Sequence, residues 1–240
     1  MSPLIRLLVA VGLVVVIWQI PYGQQILYPL SLLATLAHEL GHGLCALLMG
    51  ADFESLAIYA DGSGMAYWRG NPGPLGYALI AAGGLIGPTV AGVTLLCFSH
   101  RPNHVRWILA ILAVLAGIVM VLWVRNPFGL IFMVSLAIGL GLSSRFLDDG
   151  SAAIMLNLVA VTLCLSLFKD VEYMFSAVAV VDGVAHPSDS ATIAAALWLP
   201  YWFWGGLLAA LSLGLLVLGL WVTGRQSGSV ARDANAPNSA

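Results

Sequence analysis

Between Ile26 and Gly50 the chain runs apolar for the length of a bilayer-spanning helix, yet this stretch carries His38, Glu39 and His42. A charged side chain deep in hydrocarbon costs about 2.5–3.5 kcal/mol, so three ionisable groups in one span point to a function. On a helix, residues four apart project from one face, which sets the two imidazoles side by side. His38-Glu39-x-x-His42 therefore has the spacing of two ligands to one zinc ion. Glu39 stands next to them, placed to take a proton from a water that the metal acidifies.

The rest of the chain suits a membrane setting. Of its 240 residues 60% are hydrophobic and only 8% charged, and the mean hydropathy is +0.97. A soluble domain carries roughly 25% charged residues. Too few polar groups exist to cover a water-facing surface, and the expected fold is an all-α polytopic membrane protein. The net charge of −2 leaves no basic patch for nucleic acid. Cys45, Cys97 and Cys164 lie far apart in apolar runs and suggest neither a disulfide framework nor a metal pair.

Read in order, the apolar runs fall at 4–20, 26–50, 74–98, 107–124, 128–143, 151–168 and 194–222. This predicts about seven transmembrane helices, or six if 107–143 is a single broken span or a re-entrant pair. Residues 1–222 form one integral membrane domain, and 223–240, rich in Gly, Ser, Asn and Ala, read as a disordered polar tail. After the second span, Leu56–Ala60 and Met65–Trp68 flank Asp61-Gly62-Ser63-Gly64, which reads as a short β-hairpin. Such a hairpin would sit at the mouth of the site, and its edge, with Tyr59, Met65 and Tyr67, could hold an unwound substrate strand by β-augmentation. Ala46 and Gly50 follow His42 at four-residue spacing and give that face small side chains, and Gly83, Gly87 and Ala91 repeat the interval. Both faces would let helix backbones approach closely.

His38-Glu39-Leu40-Gly41-His42, with Ala46 and Gly50, resembles the signature helix of the site-two protease class of intramembrane zinc metalloproteases. Gly83-Gly84-Leu85-Ile86-Gly87-Pro88 is similar to the Gly-Pro segment of that class's next span, and the short bacterial branch without a PDZ domain is the nearest likeness. The resemblance implies a zinc metallopeptidase that hydrolyses membrane-spanning protein substrates inside the bilayer, with His38 and His42 as zinc ligands and Glu39 as base. It also implies a bacterial inner-membrane location, a catalytic centre toward the cytoplasmic face, and room for a regulatory membrane partner. The chain departs from the class in having Thr89-Val90-Ala91-Gly92 where an Asn is often found. It also lacks the Pro-rich Asp-Gly motif that supplies the third zinc ligand.

A tetrahedral catalytic zinc site needs that third protein group and leaves one position open. Alternating spans place Asp170 and Asp189 on the side of the metal motif and Asp148 and Asp149 opposite; a re-entrant 107–143 reverses the order. Asp170, which ends an apolar run, is the preferred ligand. Two other readings compete: a metal-free relative that holds a membrane partner, and a small metal or proton transporter. The second predicts ionisable groups along several spans, and almost none occur outside span two.

Overall fold

The computed structural model describes residues 3–99, 102–169 and 171–234. Six of its helices are long and apolar enough to cross a membrane, and a seventh is apolar but shorter. In order, the helices that form the bundle are α1 (Pro3–Gln19), α2 (Gly23–Leu48), α3 (Gly73–Phe98), α4 (Pro102–Trp123), α5 (Pro127–Phe146) and α6 (Asp149–Lys169). Between α6 and the last helix come α7 (Val171–Met174), strands β3 (Val178–Val181) and β4 (Val184–Pro187), and α8 (Asp189–Ala196). The last helix, α9, spans Tyr201–Ala234, so it continues into the segment read from composition as a tail. The seventh span expected over 194–222 is divided. α8 stops before Leu197, and Pro200, which disfavours helix in the residue before it, precedes the start of α9.

The helix carrying His38 and His42 packs against α3 through glycines. A Cβ on Gly41 would lie 2.2 Å from the Gly83 carbonyl, and one on Gly87 would lie 2.8 Å from the Ala37 carbonyl. The expected close approach of α2 and α3 is therefore made at Gly41, Gly83 and Gly87. Gly50 takes no part in it. It has φ +77° and forms the left-handed end of α2, with Ala51 N–H donating to Ala46 O at 2.9 Å and Gly50 N–H to Leu47 O at 3.1 Å. This pair of bonds is a Schellman stop, which sends the chain back along the helix it has just left.

That reversal places the first hairpin, β1 (Asp52–Ile58) and β2 (Gly64–Arg69), beside α2 rather than beyond its end. Phe53 packs on Gly43, Thr35 donates to Gly62 O at 2.7 Å, and Tyr28 donates to Ala60 O at 2.7 Å. Backbone alongside a membrane helix must have its polar groups met. The outer edge of β1 is met by the α4–α5 junction: Arg125 N–H donates to Leu56 O at 3.2 Å. The Asn126 side chain donates to Ile58 O at 2.6 Å and accepts from Ile58 N–H at 3.2 Å. α4 and α5 are separate helices packed on each other, each with a stretch long enough to span a bilayer, as the seven-span reading expects.

Candidate metal centre

Two elements distant in sequence bring three donors together. α2 presents His38 and His42 from one face, and their Nε2 atoms lie 3.1 Å apart. Asp189, in the first turn of α8, reaches both rings, with Oδ2 3.1 Å from His38 Nε2 and Oδ1 3.4 Å from His42 Nε2. Four ligands held tetrahedrally at 2.0–2.1 Å from zinc stand about 3.3 Å from one another. The donor set therefore fits the ion in chemistry and in spacing. Among the described residues, these three form the group of His, Cys, Asp or Glu side chains able to hold a metal.

Two of the donors, His42 and Asp189, are oriented by a neighbour. His42 Nδ1 lies 2.8 Å from the Ile80 carbonyl, so the Nδ1–H tautomer is held and Nε2 is left with its lone pair facing the other donors. α3 can come this close because Gly84 has no side chain there; a Cβ would fall 2.2 Å from two atoms of the His42 ring. Asp189 follows Ser188, which caps α8 by accepting from Ala191 N–H at 3.1 Å and anchors it by donating to Ser176 O at 2.6 Å. The Tyr173 hydroxyl donates to Asp189 Oδ2 at 3.0 Å and accepts from Asp189 N–H at 3.3 Å. Burial, with the Asp189 carboxylate beside it, pushes the Tyr173 phenol far above its ordinary range, so it stays a donor. Burial alone would raise Asp189; the His42 and His38 rings, when they carry a proton on Nε2, outweigh it and hold the carboxyl below the usual carboxylate range.

Glu39, 6% exposed, lies beside His38 on a shared cavity and packs against the hairpin. Its carboxylate meets the backbone N–H of Ala66, and a Cβ on Gly64 would lie 2.7 Å from Glu39 Cγ. A cavity of about 230 Å³ opens here, lined by His38, Glu39, Gly64, Ser166, Tyr173 and Val180 among others. A second cavity, of about 730 Å³ and lined largely by α1, α2 and α6, shares Ser31, Ala34, Gly62 and Ser166 with it.

The profile of the Peptidase M50B-like family matches residues 7–219. The chain belongs to that family. It is a membrane protein of the site-two protease class. Neither a curated protein nor a solved structure matches it.

Set in the M50B-like chain, the residues expected from sequence fall as follows. His38 and Glu39 line the cavity, and His42 joins His38 in the donor cluster beside it. Asp170 lies outside the described residues. Asp148 caps α6, accepting from Gly150 N–H at 3.0 Å and Ser151 N–H at 3.2 Å, and both Asp148 and its neighbour Asp149 are exposed. Tyr59 and Tyr67 pair with each other, their hydroxyls 3.4 Å apart, and neither they nor Met65 line the cavity beside Glu39. From the first hairpin it is Gly62, Ser63 and Gly64 that do.

Asp189 is among the acids weighed from sequence, whereas the second hairpin, Tyr173 and the Ser188 cap are not read there as parts of the site. A signal existed for two of them. Asp182-Gly183 between Val-rich runs is a two-residue hairpin turn, and both residues have positive φ, 49° and 76°. Ser188 before Asp189 is a helix N-cap. Tyr173 left no comparable trace.

Proposed function

We propose that this protein is an intramembrane zinc metallopeptidase that hydrolyses peptide bonds of membrane-spanning protein substrates, with His38, His42 and Asp189 as the zinc ligands. Asp189 takes the role that sequence reasoning gave to Asp170. The observation that carries this reading is the meeting of both imidazoles and the Asp189 carboxylate at 3.1–3.4 Å, with His38 lining a cavity that Glu39 also lines. When bound, zinc supplies Lewis acidity, lowering the pKa of water toward 7 and polarising a carbonyl.

The chain's own groups do the rest. Glu39 accepts a proton from the attacking water and passes it to the amine that leaves as the C–N bond breaks. Glu39 stays aimed at this task because the β2 backbone at Gly64 and Ala66 leaves its carboxylate little other room. Tyr173 holds Asp189 in place through Oδ2, the oxygen that also faces His38.

β2 offers the substrate a strand edge. Ile58 and Leu56 turn their polar groups outward to Asn126 and Arg125, so these residues and their cross-strand partners are the non-hydrogen-bonded pairs of the ladder. Gly64 pairs with Ile58 and Ala66 with Leu56, and so both turn N–H and C=O away from β1; Glu39 takes the Ala66 N–H and leaves both Gly64 groups and the Ala66 carbonyl to a substrate. A helical substrate must unwind before its peptide carbonyl is accessible, and such an edge stabilises the unwound strand. Likeness to the short branch of the class supports a bacterial inner membrane as the location.

The test is cleavage of a co-reconstituted single-span protein in liposomes. Wild-type protein is expected to release two fragments. Glu39→Gln is expected to release none while keeping its metal. Equal cleavage by Glu39→Gln would overturn the reading.

A further inference from the structure

The second hairpin stands across the cavity from the first. Ala179, Val180 and Val181 of β3 line the same space as Glu39, Gly62, Ser63 and Gly64. The register of this hairpin says which of its groups face that space. Asp182 and Gly183 form a two-residue turn, so Val181 and Val184 flanking it are a hydrogen-bonded pair. Val180 and Ala185 are then the next, non-hydrogen-bonded pair. Val180 therefore turns its N–H and C=O off the free edge of β3, and Ala185 does the same off the far edge of β4. At Val178 the equivalent groups are met by Ser176, whose hydroxyl donates to Val178 O at 2.7 Å and accepts from Val178 N–H at 3.2 Å. Among the described residues no side chain meets Val180 in this way, and Val180 is one of the three β3 positions that line the cavity.

The two hairpins touch at their tips. Asp182 N–H donates to Ser63 Oγ at 3.1 Å, and the Ser63 hydroxyl donates to Asp61 Oδ1 at 2.6 Å. The Ser63 side chain and its N–H, 2.9 Å from the same oxygen, hold Asp61 below its usual carboxylate range, against slight burial. The contact is thus a built turn meeting a built turn, with Gly62 and Gly183 at positive φ beside it.

We infer that the second hairpin is the opposite wall of the substrate slot: an extended segment of the substrate peptide lies between the Gly64–Ala66 edge of β2 and the Val180 edge of β3, and the Ser63–Asp182 contact is the latch that parts to admit it. This rests on the peptidase reading above. A strand paired on both sides needs its neighbours about 9.6 Å apart, two strand spacings. Tips joined by one hydrogen bond must therefore open first. The extended segment gains backbone partners on both edges, which replace the helical bonds it gives up on unwinding.

The experiment uses full-length protein with a single-span substrate. A benzophenone amino acid in place of Val180, in a Glu39→Gln background, is expected to capture substrate on irradiation; the same probe in place of Ala185 is not. In the active protein, Val180→Pro is expected to lower cleavage about tenfold with zinc content unchanged, and Ala185→Pro to leave it unchanged, since both prolines remove only an outward N–H. Ser63→Cys with Asp182→Cys, once oxidised, is expected to stop cleavage and to regain it on reduction. Equal capture at 180 and 185, or unimpaired cleavage by the cross-linked form, would overturn the slot while leaving the peptidase reading intact. Loss of the Glu39 dependence would overturn the peptidase reading, and the capture ratio would still judge the slot.

Discussion

His42 Nδ1 lies 2.8 Å from the carbonyl oxygen of Ile80 on the neighbouring helix, and this contact turns Nε2 of His42 toward His38 and Asp189. Two helices must come very close for a main-chain carbonyl of one to orient a ring of the other. The glycines of α3 make that possible, and they are the first place where the account can be tested.

Gly84→Ala puts a methyl group 2.2 Å from two atoms of the His42 ring. The ring cannot stay where it is. Zinc affinity, measured by competition with a chromophoric chelator, is expected to fall at least tenfold. Gly117→Ala in α4, where an added Cβ meets nothing within 4 Å, is expected to leave it unchanged.

Tyr173→Phe removes the hydroxyl that donates to Asp189 Oδ2 and leaves the ring. Partners that orient a metal ligand are typically worth 10–100-fold in metal affinity or activity. The zinc dissociation constant is expected to rise by about that factor, and added zinc to restore part of the cleavage rate. An unchanged constant would show that α8 alone fixes Asp189.

Gly64→Ala acts on the base. The added methyl would come within 2.7 Å of Glu39 Cγ, so the carboxylate must move. A displacement of about 1 Å at a catalytic group can cost about 10²-fold in rate. Cleavage is expected to fall by that order with zinc retained, the opposite pattern to Gly84→Ala.

Asn126→Leu removes the side chain that satisfies both polar groups of Ile58. A buried group left without its partner costs about 1–3 kcal/mol. The midpoint of thermal unfolding in detergent is expected to drop, and the hairpin with it, so that protease nicking between Asp52 and Arg69 becomes faster.

How far the sequence reached depended on how local the deciding interactions are. The spacing of His38 and His42 is fixed by one helix, and so is the amphipathic logic that set them on one face; both were legible. So were the helices from α1 to α6, because length and apolar content decide them. Gly50 was misplaced as a packing residue, since a four-residue interval says nothing of the positive φ that ends α2 there. The Gly83–Gly87 face of α3 was legible as small, but Gly84, between them, could not be known to hold the His42 ring.

Asp189 was harder still. It stood among four acids ranked by counting membrane crossings, whereas its position depends on a second hairpin and a short capped helix folded back against α3 and α9. The turn signal at Asp182-Gly183 would have marked that hairpin and raised Asp189 in the ranking. The division of the last expected span at Pro200 follows from the same missed segment.

The most direct measurement is zinc per chain in purified protein, taken by mass spectrometry of the metal across single substitutions. The account predicts one zinc for wild type, for Glu39→Gln and for Asp170→Asn, and loss of the metal in His38→Ala, His42→Ala and Asp189→Asn. One zinc retained by Asp189→Asn, or its loss in Asp170→Asn alone, would contradict it.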